Sequence, residues 1–294
     1  MDLEAAHARL AALEGDGALH DVDNLRSRIS ALNFLGEIAD YAAWRPPGEG
    51  WATLLPRAED LRQSLTALNK ELFNGLRQYI CDGRYSPTDL RRKFDLYTDY
   101  TPAQKGSVHA GPDQLDVLLD GVLGLATPAA PRQPMPPEMN PYEPTPARAV
   151  LDLVDQVAWD AEDVFYDLGS GLGRVVILVH LLTGLRAKGV EIDPELCEPA
   201  RQAAQRLQLG GIEFIQRDVR TVDYSQGTVF FLFTPFTASL WRSVLGMLRE
   251  EGRRRRISLC TYGPCTFEVA REPWLHSLTG APPHNYRIAV FQSQ

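Results

Sequence analysis

Residues 166 to 176 read YDLGSGLGRVV. A short apolar run ends in an acid, Asp167, and three glycines follow at alternate positions: Gly169, Gly171 and Gly173. Glycines at such spacing admit positive φ and let the backbone approach a ligand closely. Two further acids close apolar runs downstream, Glu191 in GVEI and Asp218 in FIQRDV. If each run is a strand of one parallel sheet, three carboxylates gather at its carboxyl edge. That edge is where α/β sheets hold their ligands.

The chemistry follows from charge. The dinucleotide fingerprint G-x-G-x-x-G aims helix amides at a pyrophosphate. Here the spacing is G-x-G-x-G, and a carboxylate at Asp167 repels an anion. S-adenosylmethionine carries an ammonium, a carboxylate and a sulfonium but no phosphate, so an acid beside the loop favours it. Glu191 stands 22 residues after Gly169, where a carboxylate accepts from both hydroxyls of an adenosine ribose. Asp218 is placed to accept from the adenine amine, with Ile192 and Val219 flanking the purine. Any one of these acids alone would read as a helix cap or a solvated loop residue. Three at successive strand ends favour the cofactor.

The elements that must position these residues follow from periodicity. From about residue 160, short apolar runs (DVFYDL, AKGVEI, IEFIQRD, GTVFFLF, RRISLCTYG, YRIAVFQ) alternate with helical patterns such as GRVVILVHLLTG and PELCEPARQAAQRLQL. That alternation predicts a doubly wound, mostly parallel sheet. Residues 1–126 instead read as helices: NLRSRISALNFLGEIADYAAW and AEDLRQSLTALNKELFNGLRQYI space apolar residues by three and four. SPTDLRRKF starts another, with Ser86 as N-cap and Pro87 at its first position. Residues 127–146 contain eight prolines, which suits either an interdomain linker or a loop folded over a ligand. Thr145 and Pro146 are expected to cap and open the next helix.

Bulk properties exclude several classes. The 294 residues are 44% hydrophobic and 23% charged, in the range of a globular protein. The net charge of −8 disfavours nonspecific nucleic-acid binding. The acidic start MDLEAAHARLAALEG is no secretory signal, and no 18-residue apolar run spans a membrane. The four cysteines form no C-x-x-C pair, so free thiols, a reducing cytoplasmic setting and no metal site are expected. RRRR at 253–256 follows a helix end, where cations complement the helix dipole, so a solvated face is expected there.

With VFYDLGSGLGRV, GVEID and QRDV in this order, the sequence resembles the class I S-adenosylmethionine-dependent methyltransferases over residues 140 to 294. Within them it is most similar to the non-SET histone-lysine methyltransferases, which share the glycine loop, a helical N-terminal part and a Tyr-x-x-Thr element, here Tyr142 and Thr145 of YEPT. The resemblance implies a Rossmann-like seven-stranded fold and three regions: a helical domain 1–126, a proline-rich lid 127–146 and a methyltransferase domain 147–294. It also implies that Tyr142 and Thr145 join Asp167, Gly169, Gly171, Gly173, Glu191, Ile192, Asp218 and Val219 around the cofactor. After the fourth strand that family has an Asn pair followed by aromatics, whereas this chain has FLFTPF. Phe233, Thr234, Pro235 and Phe236 are then expected to wall the methyl-acceptor slot. Glu143 and Tyr262 are candidate general bases, His109 a cleft or surface residue, and His180 a core histidine. The implied function is methyl transfer to a protein lysine or another amine. The alternatives are a cofactor-binding scaffold without chemistry and a methyltransferase acting on RNA or a small molecule.

Overall fold

The computed structural model describes residues 1–44, 48–97, 106–125, 140–233 and 238–294. The C-terminal half forms one seven-stranded sheet: β1 (Val164–Leu168), β2 (Arg186–Glu191), β3 (Ile212–Gln216), β4 (Val229–Phe233), β5 (Ser258–Tyr262), β6 (Leu275–Ser277) and β7 (Ala289–Ser293). The strand order is β3-β2-β1-β4-β5-β7-β6, with β7 antiparallel to both its neighbours and the other pairings parallel. Order reverses between β1 and β4, and a crevice opens at the carboxyl ends of such strands.

Burial explains the strand pattern. All five residues of β1, VFYDL, are buried, as expected of a central parallel strand covered on both faces. One face packs on α9 (Ala238–Arg254) through Trp241, Val244 and Leu248. The other is covered by α7 (Arg174–Thr183), whose Val175 to Val179 are all buried. α7 ends where Gly184, at φ 76°, returns its amide to the His180 carbonyl at 2.8 Å. α8 (Pro194–Arg206) begins after its Asp193 cap with Pro at the first position.

The N-terminal half is helical: α1 (Leu3–Glu14), α2 (Leu25–Trp44), α3 (Glu49–Cys81), α4 (Pro87–Leu96) and α5 (Gln114–Leu123), followed by α6 (Ala147–Gln156). α3 has 33 residues, a rod of about 50 Å. Its first half packs with α1 and α2 in a core of its own through Leu10, Leu35, Leu54 and Leu65. Its second half, through Leu72, Leu76 and Ile80, enters the core formed by α4, α5, α6 and α7. The helices nearest the sheet therefore share a hydrophobic core with the face that carries the glycine loop. No described helix is long and apolar enough to cross a membrane.

Three local expectations change. α3 begins at Glu49 rather than near residue 58, with Pro56 inside it. β6 is three residues long at the sheet edge, and a segment that short carries no period-two signal. Pro146, not Thr145, stands at the N-cap of α6 and supplies no side-chain cap, so the helix opens at Ala147.

Candidate active site

The glycine loop turns through positive φ at Gly169 (88°), Gly171 (52°) and Gly173 (77°). The amides of Gly169 and Ser170 donate to the Val190 carbonyl at 2.9 and 3.0 Å, which folds the loop back over the end of β2. The next amide, Gly171, donates to Glu191 Oε2 at 2.9 Å, and Asp193 N donates to Glu191 Oε1 at 2.8 Å. Glu191 is therefore a brace of the loop, only 6% exposed, rather than an acid at an open loop edge. The Ile192 amide also bonds this carboxylate, and its two oxygens, with about four acceptor sites between them, keep capacity for a ligand hydroxyl. Asp167 is buried in β1 nearby. Burial, followed by the neighbouring Glu191 charge, pushes its carboxyl well above the ordinary range. Burial also raises Glu191, against the pull of the amides it accepts from. Two desolvated acids at one strand edge make a medium that favours a cation.

Tyr142 lies against this loop. A Cβ at Gly171 would sit 2.3 Å from the Tyr142 ring, so only glycine allows the contact. Burial raises the Tyr142 hydroxyl to about 12, with Arg174, Asp120, Asp167 and Glu191 all within its electrostatic reach. Thr145, three residues on, is buried, and its carbonyl accepts from Arg174 Nη1 at 3.1 Å. Arg174, the residue after Gly173, also pairs with Asp116 and Asp120 of α5. Asp116 in turn accepts the first amide of α6, Ala147 N, at 3.0 Å. Sequence reasoning missed this cluster.

At the expected adenine end, Ile192 is 42% exposed, a large apolar side chain open at the sheet edge. Val219 is buried beside Val222 and Tyr224. Asp218 caps the short turn Val219–Thr221, its carboxylate accepting from the Arg220 amide at 2.9 Å. Its carboxylate also pairs with the Arg220 guanidinium at 2.5 Å, which holds it below the usual carboxylate range. Arg220 is about half exposed, and such a surface pair stabilises by only ~0–1 kcal/mol.

On the other side of the reversal point, Phe233 at the end of β4 meets Tyr262 edge-on, with centroids 4.9 Å apart. Thr234, Pro235 and Phe236, and residues 127–139 of the proline-rich segment, lie outside the described residues. Tyr262 is fully buried and donates its hydroxyl to the His109 carbonyl. His109 N donates to the Tyr286 carbonyl at 2.6 Å. His109 is thus buried between the helical part and the sheet rather than solvated, and burial lowers its pKa. His180 is a structural histidine, its Nδ1 2.6 Å from the Leu185 carbonyl. Within the arginine run, Arg255 pairs with Glu251 and donates to the Tyr224 and Gly227 carbonyls, so it fastens α9 to the sheet.

Comparisons with known proteins bear on this geometry. Residues 140–228 match the family model of the histone methylation protein DOT1. A protein-lysine N-methyltransferase of Saccharolobus islandicus is 31% identical over 98 residues, covering 32% of this chain and 59% of that protein. An uncharacterized protein of Methanocaldococcus jannaschii is 39% identical over 61 residues, covering 21% of this chain and 27% of that protein. The chain thus spans less than two thirds of either curated relative, 59% of one and 27% of the other. An RNA methyltransferase from Salinibacter ruber, solved with S-adenosyl-L-homocysteine, aligns at 27% identity with a TM-score of 0.40, covering 51% of this chain and 92% of that one. The strand order is that of the class I S-adenosylmethionine-dependent methyltransferase fold, and residues 140–228 are similar to the histone methylation protein DOT1 family. The chain's specific likeness is to the histone-lysine methyltransferases.

Proposed function

We propose that this chain is an S-adenosylmethionine-dependent methyltransferase acting on an amine, with a protein lysine as the leading acceptor. The observation that carries the reading is the convergence of Tyr142, Gly171 and Glu191. A lid residue packs on a glycine that tolerates no side chain, and that glycine's amide is held by a buried carboxylate with acceptor sites to spare. These residues fit the cofactor. Glu191 would receive the ribose hydroxyls, Asp218 the adenine amine, Ile192 and Val219 the purine faces. Asp167, Tyr142 and Thr145 would enclose the cationic methionine end. When bound, the cofactor supplies a methyl group already activated on a sulfonium. The protein's part is alignment and exclusion of water, and orientation of this kind lowers barriers by ~7–11 kcal/mol.

The acceptor side supports an amine. Phe233, half-buried at the end of β4 and backed by the buried Tyr262 ring, offers aromatic surface there, and the exposed carboxylate of Glu143 lies within electrostatic reach of Tyr262. Aromatic faces beside a carboxylate attract a cation. Two measurements test the proposal. S-adenosylhomocysteine should raise the melting temperature and NAD should not. Methyl label from S-adenosylmethionine, added with the protein to fractionated lysate, should appear in protein. Label in RNA or in small molecules would replace the acceptor assignment. Binding without any transfer would favour a scaffold role.

A further inference from the structure

The buried cluster around Arg174 joins three parts of the chain at one point. Arg174 opens α7 directly after Gly173, and its side chain is 6% exposed. Its guanidinium meets Asp116 and Asp120 of α5 and the Thr145 carbonyl at the end of the lid. Asp116 simultaneously completes the capping box of α5, accepting from Asp113 N at 2.8 Å, and accepts the opening amide of α6. One carboxylate therefore fixes the starts of two helices and one arginine. The lid segment Tyr142–Thr145 runs between these anchors, with the Tyr142 ring on Gly171 and the Thr145 carbonyl on Arg174. The backbone carbonyl at the end of the lid is thus held by the side chain of the residue that directly follows the glycine loop.

We infer that Arg174, set by Asp116 and Asp120 of the helical region, is a positioning residue for the cofactor site: it holds the Tyr142–Thr145 lid closed on the glycine loop, so that α5 tunes cofactor affinity without touching the cofactor. The inference rests on the proposed cofactor site. A guanidinium with a forked partner set is suited to this, because its donors fix direction as well as distance. Asp120 is the informative position. Its side chain is 39% exposed, so altering it leaves the core intact, whereas removing Arg174 would leave Asp116 buried and unpaired.

The test is a double-mutant cycle on the full chain, with S-adenosylhomocysteine affinity measured by calorimetry. Asp120→Asn should weaken binding about threefold or more, and Asp120→Glu, which keeps the charge, should stay within about twofold of the parent. In a Tyr142→Ala background, Asp120→Asn should change affinity by less than about 1.5-fold, because the lid through which it acts is gone. The same fold-loss in both backgrounds overturns the inference. So does a lowered melting temperature with unchanged affinity, since a purely structural tie would behave in that way. Failure of the parent protein to bind S-adenosylhomocysteine would instead strike the cofactor assignment itself, and the inference with it.

Discussion

Glu191 Oε2 accepts the Gly171 amide at 2.9 Å, while the Cβ position of Gly171 is filled by the ring of Tyr142. One glycine is therefore held from both sides, by a carboxylate at the end of β2 and by the ring of Tyr142. The position that reads as a ribose ligand is also a structural brace, and the two roles make separable predictions.

Glu191→Gln should lower both cofactor affinity and the stability of the ligand-free protein. The amide keeps one acceptor but turns its NH2 toward one of two buried donors, Gly171 N or Asp193 N. An unmet buried donor costs ~1–3 kcal/mol. Losing a charged acceptor for the ribose should weaken S-adenosylhomocysteine by about tenfold or more. Thermal melts of the ligand-free variant and calorimetry on the same sample check both. A destabilised variant with undiminished affinity would leave Glu191 as a brace alone.

Asp218→Ala tests the adenine end. Releasing Arg220 costs little, since the pair is at the surface. Loss of one hydrogen bond to a neutral amine is worth ~0.5–1.5 kcal/mol. S-adenosylhomocysteine should bind up to about tenfold more weakly, with the fold preserved by circular dichroism. Parent-like affinity would remove Asp218 from the site.

Affinity for S-adenosylmethionine should rise with pH. Burial raises the carboxyls of Asp167 and Glu191, so the native ligand-free protein holds protons that the unfolded chain has released. Their contribution to stability is therefore complete below the ordinary carboxylate range, ~4, and is lost as pH climbs through the raised values. A cationic ligand favours the ionised forms, so binding releases protons over that same window. Calorimetry in two buffers of different ionisation enthalpy measures the release. Proton uptake, or none, would contradict the assignment of Asp167 to the cationic end and of Glu191 to the ribose.

The residues that were legible in the sequence were those whose signal is local. Gly169, Gly171, Gly173 and the acids at 167, 191 and 218 declare themselves through type and spacing after apolar runs, and the sheet follows from the same runs. Arg174 did not, because an arginine opening a helix is unremarkable until Asp116, 58 residues upstream, is seen beside it. For His109 the sequence left a cleft and a surface position open for a related reason: a histidine in GSVHAG gives no sign that its carbonyl takes the Tyr262 hydroxyl from 153 residues away. The capping role expected of Thr145 failed because Asp116 supplies the α6 cap from a separate helix. Proline inside α3 hid that helix's first turns.

Gly171→Ala joins the lid and the loop in one measurement. At φ 52° an alanine is strained by roughly 1–2 kcal/mol, and its methyl would lie 2.3 Å from the Tyr142 ring. The ring cannot yield without leaving the loop. The variant should therefore lose stability and bind S-adenosylhomocysteine at least about tenfold more weakly. Adding Tyr142→Ala removes the clash but not the backbone strain. The double variant should regain part of the lost melting temperature, while its affinity should be no better than that of Tyr142→Ala alone. If Tyr142 does not cover the loop in solution, the second substitution would instead lower stability further in the Gly171→Ala background. Melting curves for the parent, the two single variants and the double variant distinguish these outcomes. Additive losses would show that the ring lies elsewhere and would remove Tyr142 from the site.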